Sequence, residues 1–297
     1  MNRLTALASL RLTCLLALAA AVQACHRPAL DAYAKRDAMH QIALLPGDPV
    51  TLTSFRGGIE VQGTDSQQSW IRTHSVAGGR NTQEAEWRLE QIRLVDQASS
   101  SKAFSMVSTD PKPRGLRSDL IAQVPSTSYI VAETGEGSIQ ARNLLRGIRA
   151  TTRDGAIVLN DISGNIQAET TRGGIVGKGL TLPATGMPHH FECHNGKIDL
   201  EIDAIEAPVF ASTRLQPIEL SLPIGPGYRF FLASKKGLST ILGDDGPIAQ
   251  SEKGMPLELL IPGTPLVDVH IENHKAPITV RLGRKAPTKK ARPQMGL

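Results

Sequence analysis

This 297-residue chain is poor in cysteine, in aromatic residues and in long apolar runs, and each shortage closes off a class of protein. Cysteine occurs at Cys14, Cys25 and Cys193 alone. With the first two confined to the N-terminal segment, no disulfide framework can staple the body, so its stability must come from core packing and backbone hydrogen bonds. Aromatic residues make up 4% of the chain, which fits a narrow interior better than an aromatic-rich propeller or a carbohydrate-binding sandwich. The apolar run Leu12 to Val22 is too short to span a bilayer. Catalytic signatures are missing too: there is no Gly-rich phosphate loop ahead of a helix, no Gly-x-Ser-x-Gly elbow, no His-Glu-x-x-His and no Cys-x-x-Cys. Hydrophobic residues still make up 40%, enough to build a core.

What the chain does contain is a period. Ile130, Ile148 and Ile166 stand eighteen residues apart, as do Ala132, Ala150 and Ala168, then Thr134, Thr152 and Thr170, then Ile139, Ile157 and Ile175. Gly137, Gly155 and Gly173 keep the same spacing. A fixed period near twenty residues marks a stacked-repeat architecture. Within one period Ile148, Ala150 and Thr152 alternate, then Ile157 and Leu159, which is the two-residue rhythm of β-strands. Arg153-Asp154-Gly155 and Ser163-Gly164-Asn165 read as the tight turns between them. The expected fold is therefore all-β: a β-solenoid, or β-helix-like stack, of coils about 18 residues long, with equivalent residues roughly 4.8 Å apart.

Echoes extend the pattern. Phe55-Arg56-Gly57-Gly58-Ile59 matches Thr171-Arg172-Gly173-Gly174-Ile175, and Cys193-His194-Asn195-Gly196-Lys197-Ile198 repeats Thr152 to Ile157 after forty-one residues. Near the end Val267, Val269 and Ile271 alternate, and Asn273 to Pro277 turns into Ile278, Val280 and Leu282. The body is expected over residues 43–282. Gln83 to Glu90 is rich in helix formers and places one short helix near 83–90, with Thr82 as its N-cap.

The address is read from the start. Arg3 and Arg11 precede the apolar run, as in an export signal over residues 1–24. Val22-Gln23-Ala24-Cys25 resembles a bacterial lipobox, which implies a lipid on Cys25 and a membrane as partner, although Val-x-Ala also suits an ordinary signal peptidase. His26 is not the aspartate that resembles an inner-membrane retention signal, so an outer-membrane anchor facing periplasm or cell surface is favoured. Residues 25–42 are expected as a tether. Arg281, Arg284, Lys285, Lys289, Lys290 and Arg292 stand in the C-terminal segment with no acid among them, so residues 283–297 form a basic, disordered tail and the body is slightly acidic. No aromatic residue interleaves with those charges, which argues against nucleic acid and for anionic envelope polymers or lipid as any partner.

Two clusters carry possible chemistry. His190, Glu192 and His194 would share the outward face of a strand and are metal-ligand candidates, but no second half-site is evident and Phe191 and Cys193 fall in inward columns. Asp199, Glu201 and Asp203 alternate with Ile198, Leu200 and Ile202, so three carboxylates line one exposed strand face. Carboxylates that point the same way do not flank a glycosidic bond as hydrolysis needs, and a solvated face is the expectation.

The leader, the turns Glu136-Gly137-Ser138-Ile139, Asp154-Gly155-Ala156-Ile157 and Asn195-Gly196-Lys197-Ile198, and the closing Ala276-Pro277-Ile278-Thr279-Val280 together resemble the bacterial putative-adhesin family of β-strand-repeat domains of unknown function. The resemblance covers about Ala43 to Leu282 and implies a non-enzymatic envelope protein, without cofactor, acting in adhesion, scaffolding or self-association through glycans, envelope polymers or other proteins. The alternatives are a β-helical carbohydrate-active enzyme using the Asp199, Glu201 and Asp203 face, and a metal-responsive envelope sensor using His190 and His194.

Overall fold

The computed structural model describes residues 30–66, 68–98, 102–110 and 114–283. In chain order the first elements are β1 (Ala32–Ile42), β2 (Val50–Ser54), β3 (Ile59–Thr64), β4 (Ser69–Gly79), helix α1 (Thr82–Glu90), β5 (Ile92–Ala98), β6 (Lys102–Ser108) and β7 (Leu116–Pro125). The middle holds β8 (Ile130–Glu136), β9 (Ile139–Leu144), β10 (Gly147–Asp154), β11 (Ile157–Ile162), β12 (Asn165–Arg172), β13 (Ile175–Leu182), β14 (His189–Cys193) and β15 (Ile198–Ile205). The rest are β16 (Val209–Thr213), β17 (Ile218–Leu222), β18 (Gly227–Ser234), β19 (Ser239–Gly243), β20 (Gly246–Gln250), β21 (Leu257–Ile261), β22 (Leu266–Asn273) and β23 (Ile278–Leu282). The chain is thus mostly β, with one helix among the described residues.

The strands form two large mixed sheets, one of twelve strands and one of eleven. In the middle the chain alternates between them: β8, β10, β12 and β14 are neighbours in one sheet, and β9, β11, β13 and β15 in the other. The eighteen-residue spacing is a strand register. Ile148 pairs with both Ile130 and Ile166, Ala150 with Ala132 and Ala168, and Thr152 with Thr134 and Thr170. In the facing sheet Ile157 pairs with Ile139 and Ile175. These parallel pairs put like residues over like, and the alternate positions are buried at 0–1% exposure from Ile130 through Ile175 in the isoleucine columns. Cys193 pairs with Thr170 and Phe191 with Ala168, so both sit in inward columns.

The threonine column is a hydrogen-bond ladder at the corner between the sheets. Thr134 Oγ1 donates to the Gly57 carbonyl (2.8 Å), Thr152 to Gly137 (2.9 Å), Thr170 to Gly155 (2.9 Å) and Thr213 to Gly196 (3.0 Å). Each hydroxyl thereby satisfies a turn carbonyl of the adjacent rung, where a buried unpaired acceptor would cost about 1–3 kcal/mol. Ser54 and Ser234 do the same with Ser118 and Ala276, and the Asn273 amide with Gln216. At one rung the donor is the Cys193 thiol, 2.8 Å from the Gly173 carbonyl. The glycine column follows from this crowding. A Cβ on Gly155 would lie 2.0 Å from the Gly137 carbonyl oxygen, although Gly155 is not at positive φ, whereas Gly137 meets the same obstruction at φ +149°. Close approach, more than left-handed backbone, is what requires glycine there.

Two expectations are revised. Residues 25–42 are not simply a tether, because Ala32–Ile42 is strand β1, paired antiparallel with β4 along its whole length. Its edge position and the polar Lys35, Arg36, Asp37 and His40 hid it from a hydrophobic-pattern reading. The helix is capped by Asn81, whose side chain accepts from the Glu84 amide, and Thr82 is its first residue. The order of the stack is also not the order of the chain. β6 lies outside β2, and β22 lies between β16 and β18, with β23 likewise between β17 and β19. Each sheet has nine consecutive parallel strands, and antiparallel β4 with β1, β5, β20 and β21 cover the ends. At the N-terminal end the buried Arg88 of α1 pairs with Asp110 at 2.7 Å, fixing the helix on that cap. The corner turns and caps leave the two outward sheet faces as the large accessible surfaces.

Candidate binding groove

The residues that sequence singles out fall in three places. Cys25, the leader and the tail beyond Gly283 lie outside the described residues. Asp199 and Glu201 are half-buried on the outer face of β15 and line a shallow concavity of about 630 Å³ with Glu219 and Arg281. Lys197 Nζ sits 3.0 Å from both Asp199 and Glu219. Burial alone would lower the Lys197 pKa, but these two carboxylates outweigh it and hold the ammonium above its ordinary value. The acids are therefore knitted to cations of their own sheet. Asp203 continues the same outward row.

His190 and Glu192 project outward from β14, with His190 Nε2 3.3 Å from Glu192 Oε2, and His194 stands just past the strand. No group of three or more His, Cys, Asp or Glu among the described residues is placed to hold a metal ion. A second His-x-Glu-x-His that sequence reading did not register, His270-Ile271-Glu272-Asn273-His274, repeats the pattern of His190-Phe191-Glu192-Cys193-His194. His270 Nε2 lies 3.0 Å from Glu272 Oε1, matching the pair on β14. The two segments are not adjacent. β16 runs between β14 and β22, and Arg214 follows it, so a cation stands where a shared ion would have to sit.

Registration of β14, β16, β22 and β18 builds three outward rows. His190, Phe210, His270 and Phe231 form the first, because each is the register partner of the next. His270 stacks on both phenyl rings, at 5.5 Å from Phe210 and 4.6 Å from Phe231. Glu192, Ser212, Glu272 and Ala233 form the second row by the same pairing. The third continues into the turns as His194, Arg214, His274 and Lys235, held in step by backbone bonds such as Arg214 N to the His194 carbonyl. Between the aromatic and the cationic rows lies a groove of about 320 Å³ whose lining includes Ser212, Ala233, Phe231 and Arg214. The small Ser212 and Ala233 side chains leave room that a larger residue would fill.

The charge of the third row is uncompensated. Arg214, Lys235, Lys236 and Lys275 pair with no carboxylate among the described residues, while Glu192 and Glu272 are engaged by their own histidines. His274 registers the result: local burial first, then Lys235, Arg214, Lys236 and Lys275, push its pKa below the usual histidine value. The arrangement can hold an extended ligand with anionic groups on one edge and an apolar face on the other. Sequence reading missed Phe210, Arg214, Phe231 and Lys235 because their strands fall outside the eighteen-residue period, and the repeated His-x-Glu-x-His was the available signal.

No protein-family model matches the chain, and no curated protein sequence does. Solved structures align with most of it. A putative adhesin from Bacteroides fragilis is 11% identical over 85% of this chain and 98% of its own, with a TM-score of 0.45. A putative cell adhesion protein from Clostridium sporogenes is 12% identical over 84% of this chain and 100% of its own, with a TM-score of 0.38. A putative lipid binding protein from Parabacteroides distasonis is 8% identical over 86% and 98%, with a TM-score of 0.32. The likeness is too loose to carry a ligand or a partner across.

Proposed function

We propose that this protein is a non-enzymatic cell-envelope lipoprotein, a β-solenoid held to a membrane through Cys25 that works by adhesion through its outward sheet faces. The observation that carries the reading is the stack itself. Nine parallel strands in each sheet enclose a filled apolar interior, so the available chemistry lies on outward columns, and among the described residues those columns bring aromatic, small and cationic residues together in the groove over β14, β16, β22 and β18. The leader supports the address: a charged start, an apolar run and Val22-Gln23-Ala24-Cys25. In this reading residues 1–24 are removed, the residues between Cys25 and β1 form a short tether, and the basic tail follows the body at residues 283–297. His26 favours the outer membrane, facing periplasm or cell surface. Among the described residues no helix is long and apolar enough to cross a membrane. Replacing Cys25→Ser tests the address: the variant should leave the membrane fraction, and equal membrane recovery of variant and parent would reject the anchor.

A further inference from the structure

The groove combines three chemistries at fixed spacing. Its cationic row spans about 14 Å from β14 to β18, and its two permanent charges, Arg214 and Lys235, follow β16 and β18, two strand spacings or roughly 9.6 Å apart, with His274 between them. Its far wall is Phe231, which continues beyond the groove's own lining into an aromatic platform where Phe210 and Phe231, two of the chain's six phenylalanines, sandwich His270. Its floor carries Glu192 and Glu272, whose carboxylates keep free lone pairs beyond their histidine contacts.

We infer that this groove binds a linear acidic polysaccharide, its carboxylate or sulfate groups on the cationic row and its sugar rings against the Phe210, His270 and Phe231 platform. The inference rests on reading the outward face as the working surface of an envelope protein. Arg214 and Lys235 stand two strands apart, roughly 9.6 Å and close to the length of two pyranose units, so alternate sugars of the chain meet a fixed charge. The floor decides between polyanions. Glu192 and Glu272 demand hydrogen-bond donors, which sugar hydroxyls supply and which phosphodiesters do not. Bound acidic groups replace the missing carboxylate partners of Arg214 and Lys235. The apolar face of a sugar ring covers the aromatic platform, whose Phe210 is 37% exposed.

The test is calorimetric titration of the full chain, purified in mild detergent, with oligogalacturonate, sulfated dextran and neutral dextran of matched length at two salt concentrations. One or both acidic glycans should bind with salt-dependent affinity, and neutral dextran should not. Arg214→Glu with Lys235→Glu should weaken binding by about tenfold or more. Phe231→Ala should weaken it by roughly threefold to tenfold while leaving the salt dependence in place. If the charge-reversed protein does not fold, Arg214→Gln with Lys235→Gln replaces it, with an expected loss of about threefold. Unchanged affinity in the folded charge variants, equal binding of neutral dextran, or displacement of the glycan by phosphatidylglycerol vesicles would overturn the assignment. Membrane recovery of the same protein is scored separately. Glycan binding without membrane association keeps the site and removes the anchor, while membrane association without glycan binding removes the site alone.

Discussion

The rungs from β8 to β13 and those from β16 to β23 are built on the same corner chemistry but differ in how sequence order maps onto space. In the first region each rung follows its predecessor by eighteen residues, and most inward columns repeat, isoleucine on isoleucine, alanine on alanine and threonine on threonine, while Leu159 lies between Ala141 and Gly177. In the second, β22 enters between β16 and β18, so Thr213 is followed in space by Asn273 and then by Ser234. The periodic region has outward columns of mixed polar residues tied in a surface ion-pair row, Arg56 to Glu136 to Arg153 to Asp154 to Arg172. The interleaved region has unpaired cations beside an aromatic stack. Regular repetition makes a scaffold, and the groove arises where the repetition is broken.

Deleting residues from Leu266 onward is the largest way to break the comparison. It removes β22 and β23 from the interior of the stack, so β16 and β18 lose their shared neighbour, as do β17 and β19. In a stack where stability sums over neighbouring rungs, the loss should be confined to that end. Limited proteolysis should cut rapidly between β16 and β21 and leave β8 to β13 protected. Uniform digestion of the whole chain would show instead that the two regions unfold as one unit.

Gly155→Val attacks the regular region. The new side chain would begin 2.0 Å from the Gly137 carbonyl oxygen that Thr152 already occupies as a donor. The expected cost is about 3 kcal/mol or more, read as a shift of the denaturant midpoint. A loss below about 1 kcal/mol would mean that the corner is loose enough to open.

Much of this contrast was legible in the residues. Ile130, Ile148 and Ile166 gave register, and the place of Cys193 beneath Thr170 followed from one alignment of turns. The rest was hidden for definite reasons. β1 carries consecutive charges, Lys35, Arg36 and Asp37, on an edge, where exposure on both sides erases the hydrophobic rhythm. The interleaving of β22 leaves no trace in local pattern, because a parallel strand reads the same whichever neighbour it joins. The groove depends on that interleaving, so His190 and Glu192 could be placed outward from sequence while Phe210, Phe231 and Lys235 could not be placed beside them.

His189 offers a smaller test, at the junction of the two regions. Its ring is fully buried on β14, and Nδ1 accepts from the Ile166 amide at 3.2 Å. Burial pushes its pKa below the ordinary value, against a weaker opposing effect of the Pro183 carbonyl. Because the unfolded chain takes up this proton near pH 6.5 while the native ring still refuses it, the stabilisation is complete above that pH and is lost as pH falls toward the native pKa. Thermal midpoints should drop between pH 7 and pH 5. His189→Asn, which keeps an acceptor for Ile166, should lower stability at pH 7 and flatten that slope. A slope unchanged by the substitution would assign the acid sensitivity elsewhere.

The smallest expected effect belongs to Cys193→Thr, which would make the rung at the junction of the two regions more like the regular ones. Cys193 holds the column position that threonine holds at 134, 152, 170 and 213, and its thiol donates to the Gly173 carbonyl where those hydroxyls donate to their own glycine carbonyls. A thiol is a weak donor, and burial pushes the Cys193 pKa up, so it stays protonated and inert. A hydroxyl at this rung should strengthen one buried hydrogen bond and gain about 0.5–1 kcal/mol, measured as a rise in the denaturant midpoint with an unchanged slope. Cys193→Val, with similar volume and no donor, should lose about 1 kcal/mol instead. If threonine and valine shift the midpoint alike, the corner ladder is packing and not hydrogen bonding, and the resemblance between the two regions is one of shape alone.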